Sequence, residues 1–315
     1  MKKVLMAMTV FMSAVLTGMA QKMPAKLENE SVINLYDKVE KSGVEEKTIM
    51  MGDNAAVVNV SNPTMTVYLP DKSKDNGSTM LVCPGGGFLM LSWDTEGTLV
   101  AKELVKRGFT VFLLKYRLNP MLKDNGKSVD NGTEVGLGVM KFIMGDKKDP
   151  KEIANGEGPL MSDRALNTPG TQLAMADATQ AMTLIKGNAK KWGLNPDKVG
   201  IMGFSAGSLI SMYIAQNHTE SSRPAFVGAI YTGWTPDVKA PEDAAPLFLC
   251  SPVNDVFTPD EQLNIYKAWR LAKKPVEVHN YWKAEHGYGA THTGNSVDNW
   301  IDQMCDFMKD VDLIK

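Results

Sequence analysis

The chain has 315 residues, with 34 basic and 36 acidic side chains for a formal net charge of −2, and 43% hydrophobic residues against 22% charged. This balance describes a globular protein and excludes a disordered, collagen-like or low-complexity chain. Near-neutral charge argues against nucleic acid or a polybasic membrane contact, because both need a basic surplus. Three cysteines, Cys83, Cys250 and Cys305, include no CxxC pair. That argues against a disulfide scaffold or structural zinc, and their apolar neighbours suggest buried small hydrophobes.

Lys2 and Lys3 precede an apolar run, Val4 to Leu16, and then Thr17-Gly18-Met19-Ala20. A charged start, a short apolar stretch and small residues predict a signal peptide over 1–20, cut after Ala20. The mature chain, 21–315, is then expected to be exported to the periplasm or beyond, with no membrane span after processing. The runs 55–60 and 65–69 are rich in β-formers and are separated by Ser61-Asn62-Pro63-Thr64, which predicts an antiparallel hairpin. From Met80 the pattern changes to βα units. Met80 to Cys83 reads as a buried strand. Glu96 to Arg107 reads as a helix closed by Gly108, and Thr110 to Leu114 as the next strand.

The connection from about 118 to 171 breaks that rhythm. It is rich in Gly, Asp, Asn and Lys, with a short helix expected near Glu134 to Met144. Its length marks it as a lid or a surface elaboration. Beyond it, Ala178, Ala181, Met182, Ile185 and Trp192 mark one face of a long helix that Gly193 ends. Strands follow at Val199 to Met202, Phe226 to Ile230, Leu247 to Cys250 and Val276 to His279, with a helix beginning near Ala206. Thr258-Pro259-Asp260-Glu261 has the form of a helix capping box, and Val297, Trp300, Ile301, Met304 and Met308 form the stripe of a last helix. Repeated βα units predict an α/β fold in one domain, a mostly parallel sheet with helices on both faces.

Gly203-Phe204-Ser205-Ala206-Gly207 lies between a predicted strand and a predicted helix. Glycines on either side allow the tight strand-to-helix turn that lifts a serine clear of a sheet. The bare G-x-S-x-G pattern is weak evidence; its position makes Ser205 a candidate nucleophile. A serine hydroxyl needs a base. Of His218, His279, His286 and His292, His286 sits in the loop just beyond the last strand, where it could swing over Ser205, with His292 as runner-up. Asp255, just past the strand ending near Cys250, is placed to orient that base, while Asp260 is better explained by the capping box. The order Ser205, Asp255, His286 is the α/β-hydrolase order.

Cys83-Pro84-Gly85-Gly86-Gly87-Phe88 follows a strand and can turn backbone N–H groups toward an oxyanion. Gly86, Gly87 and Ala206 are the candidate donors. The run lacks the G-x-G-x-x-G spacing and the G-K-[ST] ending of a phosphate loop. Phe88, Trp93, Trp234 and Tyr288 are candidate substrate contacts. Trp93, Trp234 and Trp282 stand near strand ends, where an aromatic ring could stack on a sugar or simply pack. No metal or organic cofactor is required by this chemistry.

Pro84-Gly85-Gly86-Gly87-Phe88, Glu96-Gly97, Leu114-Lys115-Tyr116-Arg117-Leu118, the elbow, and His286-Gly287-Tyr288-Gly289 together resemble the carbohydrate esterase branch of the α/β-hydrolase superfamily, the acetyl xylan esterase-like and feruloyl esterase-like enzymes. The resemblance covers most of residues 50–310. It implies an eight-stranded sheet and removal of acetyl or related acyl groups from plant polysaccharide. Pro84 stands where the broader lipase and esterase group has histidine. A serine exopeptidase, an acyltransferase using the same residues, and a catalytically silent glycan-binding homologue are the competing readings. The expected partner is an acylated glycan or other small ester.

Overall fold

Apolar residues in runs of five or six make strands that bury both faces, and the core strands here are of that kind. Residues 23–39, 43–123, 125–144, 167–233, 238–255, 257 and 261–315 are described by the computed structural model. The leader at 1–20, residues 145–166 of the long connection, Trp234 and the capping-box residues Thr258, Pro259 and Asp260 lie outside the described residues.

The main sheet has eight strands in the order β1-β4-β7-β5-β8-β9-β10-β11. Its members are β1 (Val32–Asn34), β4 (Thr64–Tyr68), β5 (Thr79–Cys83), β7 (Thr110–Lys115), β8 (Val199–Phe204), β9 (Val227–Ile230), β10 (Leu247–Pro252) and β11 (Val276–Tyr281). β4 runs antiparallel to both β1 and β7. Every other pairing in the sheet is parallel. This is the α/β-hydrolase arrangement, with the eight-stranded, mostly parallel sheet expected from sequence.

Alternation along the strands divides the core in two. Leu81, Cys83, Phe112 and Leu114 face helices α3 (Pro169–Trp192), α4 (Ala206–Asn217) and α5 (Glu261–Leu271). Met80, Val82, Val111 and Leu113 face α1 (Leu99–Lys106) and α6 (Trp300–Asp310). α3 begins at a capped turn, where the Thr168 hydroxyl accepts from the Thr171 N–H and Pro169 takes the first helical position. It ends at Gly193, whose φ of 75° supplies the left-handed residue that a helix C-terminus favours.

The hairpin expected at 55–69 is not formed. Both runs are strands, β3 (Asn54–Val58) and β4, but they belong to different sheets. β3 joins β2 (Lys47–Met51) and β6 (Met90–Ser92) in a separate three-stranded antiparallel sheet. The chain leaves β3 at Asn59, a non-glycine residue at φ 58°, whose side chain binds outward to the Glu45 carbonyl, Ser128 and the Met121 N–H. The helix expected near 134–144 is α2 (Gly132–Met144), which packs against β2 over a small core containing Ile49, Val58, Leu89 and Val135.

The parallel register aligns Cys83 with Gly203, Gly203 with Ala229, and Cys250 with both Ile230 and His279. Strands β5, β8, β9, β10 and β11 therefore end together, and the loops leaving them meet at one edge.

Candidate active site

At the centre of that edge, β8 turns into α4 at Ser205, which adopts φ 50° and ψ −115°. A serine at positive φ is strained, and such strain persists only where its surroundings hold it. The Ser205 N–H donates to the Ile230 carbonyl at 3.0 Å, fixing the turn to β9. Gly207 is required by close approach: a Cβ there would lie 2.0 Å from the Cys83 carbonyl oxygen and 2.6 Å from that of Pro84. The first turn of α4 thus rests directly on the end of β5.

Asp255 comes three residues after β10 and His286 five residues after β11. The structure brings both to Ser205. His286 Nε2 lies 2.9 Å from Ser205 Oγ, and His286 Nδ1 lies 2.7 Å from Asp255 Oδ2. The Asp255 side chain is 1% exposed, and its Oδ1 accepts the Phe257 N–H at 2.9 Å. An ionised Asp255 accepts the Nδ1 proton, which leaves Nε2 free to accept from the Ser205 hydroxyl. Phe257 and Tyr231 flank the imidazole, each with its ring centre 4.8 Å away. The other histidines are engaged elsewhere: His218 with Asp243, His279 with Glu277, and His292 with Asp298 at the surface.

The glycine loop lies beside the elbow. Gly86 has φ 127°, and a Cβ there would meet the Met90 carbonyl oxygen at 2.3 Å, so only glycine fits. The N–H groups of Gly86 and Gly87 donate to no acceptor among the described residues. The Ala206 N–H opens α4 and belongs to the first-turn donors that a helix leaves without an internal acceptor. Neighbours hold the loop at its other polar groups. The Tyr116 hydroxyl donates to the Pro84 carbonyl at 2.6 Å, the Glu96 Oε2 accepts the Gly85 N–H at 2.7 Å, and the Asn119 N–H donates to the Phe88 carbonyl at 2.9 Å. The arrangement sets a serine hydroxyl, an imidazole and a buried carboxylate in line beside unengaged N–H donors, the groups that acyl transfer through a tetrahedral oxyanion requires.

A model of the dienelactone hydrolase family matches residues 150–310, slightly more than half of the chain. The chain belongs to the dienelactone hydrolase family. The match includes Ser205, Asp255 and His286, while the glycine loop precedes it. An acetylxylan esterase of Xylanibacter ruminicola is 27% identical over 162 residues, which cover 51% of this dienelactone hydrolase family chain and 23% of that protein. The chain therefore spans less than a quarter of that curated relative's length. A solved acetyl ester-xyloside bifunctional hydrolase from Caldicellulosiruptor lactoaceticus superposes with a TM-score of 0.59 at 18% identity, covering 92% of this chain and 99% of that one. MGS-M1, an alpha/beta hydrolase from a Medee basin deep-sea metagenome library, gives 0.56 at 21% identity, covering 86% and 99%. Both share the fold.

The aromatic residues expected to touch substrate are placed differently. Phe88 is fully buried against Tyr116 and Tyr288 is buried against Tyr231, Tyr281 and Trp300, so both are corrected to core residues. Phe88 adopts φ 61°, and the Tyr288 hydroxyl lies 3.0 Å from Cys250 Sγ. Trp93 is half-buried and packs on both cores, whereas Trp282 is 69% exposed. Trp234 lies outside the described residues. Sequence reasoning assigned no role to Glu96, Tyr116, Asn119 or Tyr231. Glu96-Gly97 and Tyr116 fall within segments of the family resemblance, whereas Asn119 and Tyr231 carry no sequence signal of their own.

Proposed function

We propose that the protein is an exported serine esterase that removes acetyl or feruloyl-type groups from plant polysaccharide or its oligosaccharides. The observation that carries this reading is the hydrogen-bonded chain from Ser205 Oγ through His286 to a buried Asp255, beside unengaged N–H donors. In the reaction, the Ser205 hydroxyl passes its proton to His286 Nε2 as Oγ bonds to the ester carbonyl carbon. The negative oxygen is received by the N–H groups of Gly86, Gly87 and Ala206. His286 then gives its proton to the departing sugar hydroxyl, leaving an acyl-Ser205. Water, deprotonated by His286, releases the acid and restores the serine. The steps need no metal or organic cofactor.

The acyl-glycan substrate is supported by the acetylxylan esterase relative and by the carbohydrate esterase resemblance. Export rests on the charged, apolar and small-residue pattern of residues 1–20 and implies a periplasmic or extracellular site of action. The test is mass spectrometry of acids released from acetylated and feruloylated xylo-oligosaccharides, with Ser205→Ala as the control. Acid release by the wild type, lost in Ser205→Ala, is the expected outcome. Undiminished release by Ser205→Ala overturns the reading.

A further inference from the structure

Glu96 lies in the helical turn Asp94–Thr98, immediately behind the glycine loop, and is buried. Among the described residues no lysine or arginine pairs with it. Its Oε2 accepts the Gly85 N–H and its Oε1 accepts the Tyr231 hydroxyl, both at 2.7 Å. The Tyr231 oxygen in turn accepts the Gly289 N–H at 3.2 Å, and the Tyr231 ring lies against His286. A Cβ on Gly287 would stand 3.9 Å from Glu96 Oε1, so the carboxylate lies under the backbone adjoining the base. Both hydrogen bonds are of the kind an ionised carboxylate accepts. Gly85 N–H can only donate, and the Tyr231 oxygen already accepts from Gly289, so its own proton points to Glu96.

Burial pushes the Glu96 carboxyl upward, against the opposing pulls of the Tyr231 hydrogen bond, His286 and the Gly85 N–H. A buried carboxylate with no basic partner costs stability, and such costs concentrate where the charge has work in the reaction. Resting on the serine esterase reading, we propose that Glu96 is a positioning residue that ties the oxyanion loop to the histidine loop through Tyr231 and supplies a second negative charge favouring protonated His286. The groups facing His286 are then Asp255 at Nδ1, Ser205 at Nε2, the Tyr231 and Phe257 rings, and the Glu96 charge beneath.

The test is the pH dependence of kcat and kcat/KM for p-nitrophenyl acetate in wild type, Glu96→Gln and Tyr231→Phe. Glutamine keeps the shape and an acceptor for Gly85 but removes the charge. Its kcat is expected to fall about ten- to a hundredfold with KM little changed. The acid limb of kcat/KM moves to lower pH, because a base without a nearby anion stays unprotonated further into acid. Thermal stability is retained or raised. A packing role alone would lower the rate equally at every pH. Tyr231→Phe keeps the ring and removes the bridging hydroxyl, and its kcat should fall several-fold even if Glu96→Gln fails to fold. With a wild type that hydrolyses the ester and is labelled at Ser205 by a fluorophosphonate, an unchanged kcat and acid limb in Glu96→Gln, or unchanged kcat in Tyr231→Phe, overturns the role of Glu96 alone. A wild type inert to both probes overturns the esterase reading and the role together.

Discussion

Asp255 makes two hydrogen bonds with different duties. Oδ1 holds the Phe257 N–H and Oδ2 holds the imidazole, so one carboxylate both shapes its loop and orients the His286 ring. Asp255→Asn can keep the first bond. At the second position an amide N–H faces Nδ1, which drives the ring proton to Nε2 and leaves nothing to accept from Ser205. The expected result is a loss of kcat of about 10⁴-fold with KM and thermal stability near wild type, read by steady-state kinetics and a melting curve. Ser205, His286 and Asp255 are legible in the sequence because each sits at a fixed offset from a strand end. Glu96 and Tyr231 are 135 residues apart in sequence, and their hydrogen bond is created by the fold rather than by any local spacing. Phe88 illustrates the converse error. It stands among the candidate substrate contacts, yet its ring is fully buried against Tyr116.

At the scale of elements, the end of β7 is locked to α3. Arg117 donates from Nε to Asp177 at 3.0 Å to Oδ2 and from Nη2 at 2.5 Å to Oδ1, while its backbone N–H reaches Oδ2 at 2.9 Å. Tyr36, from the segment after β1, adds its hydroxyl to Oδ1 at 3.0 Å and places its ring under the guanidinium. The Asp177 side chain is 0% exposed, and burial raises its carboxyl against the pull of Arg117. Removing one partner of a buried pair leaves an uncompensated charge, so Arg117→Met is expected to lower unfolding stability by about 3 kcal/mol in urea titration. The pH dependence has a definite sign. An aspartate that titrates higher in the fold than in the unfolded chain contributes stability at low pH, and that contribution is lost as pH rises through its folded value. The Arg117→Met deficit should therefore be smaller at about pH 5 than at about pH 8, where the stranded carboxylate is ionised.

The elements themselves are visible in sequence wherever burial on two faces forces apolar runs of β-formers or a helical stripe. Partners are less visible. β3 and β4 have the pattern of a hairpin, but the same alternation serves equally well when each pairs with a distant strand, and Asn59 sends the chain out of one sheet toward the other. The helix expected in the long connection is present as α2. Its seat on the three-stranded sheet is not legible in sequence, because β2 and β6 are short and carry mixed burial.

Across the whole molecule, the candidate catalytic groups come from loops that leave β5, β8, β10 and β11, so their geometry is only as durable as the sheet that aligns those strands. Three free cysteines sample that durability. Cys83 lies in the core beneath α3 to α5, while Cys250 and Cys305 lie in the core beneath α1 and α6. Burial pushes the Cys250 thiol up to about 12 and the Cys305 thiol to about 11, and raises that of Cys83 as well. Each thiol is thus both inaccessible and un-ionised in the folded state, and reaction requires the core around it to open. Because the strands alternate their side chains between the two cores, neither core can separate without breaking the sheet the other rests on. Titration with a chromogenic disulfide at near-neutral pH should therefore find almost no reactive thiol in the folded protein. In rising urea, all three should appear together, at the midpoint followed by far-ultraviolet circular dichroism and by loss of ester hydrolysis. Earlier exposure of Cys250 and Cys305 than of Cys83 would mean that the α1–α6 layer opens as an independent unit, and hydrolysis would then track that layer, which packs against the histidine loop through the hydrogen bond from Trp300 Nε1 to the Gly289 carbonyl.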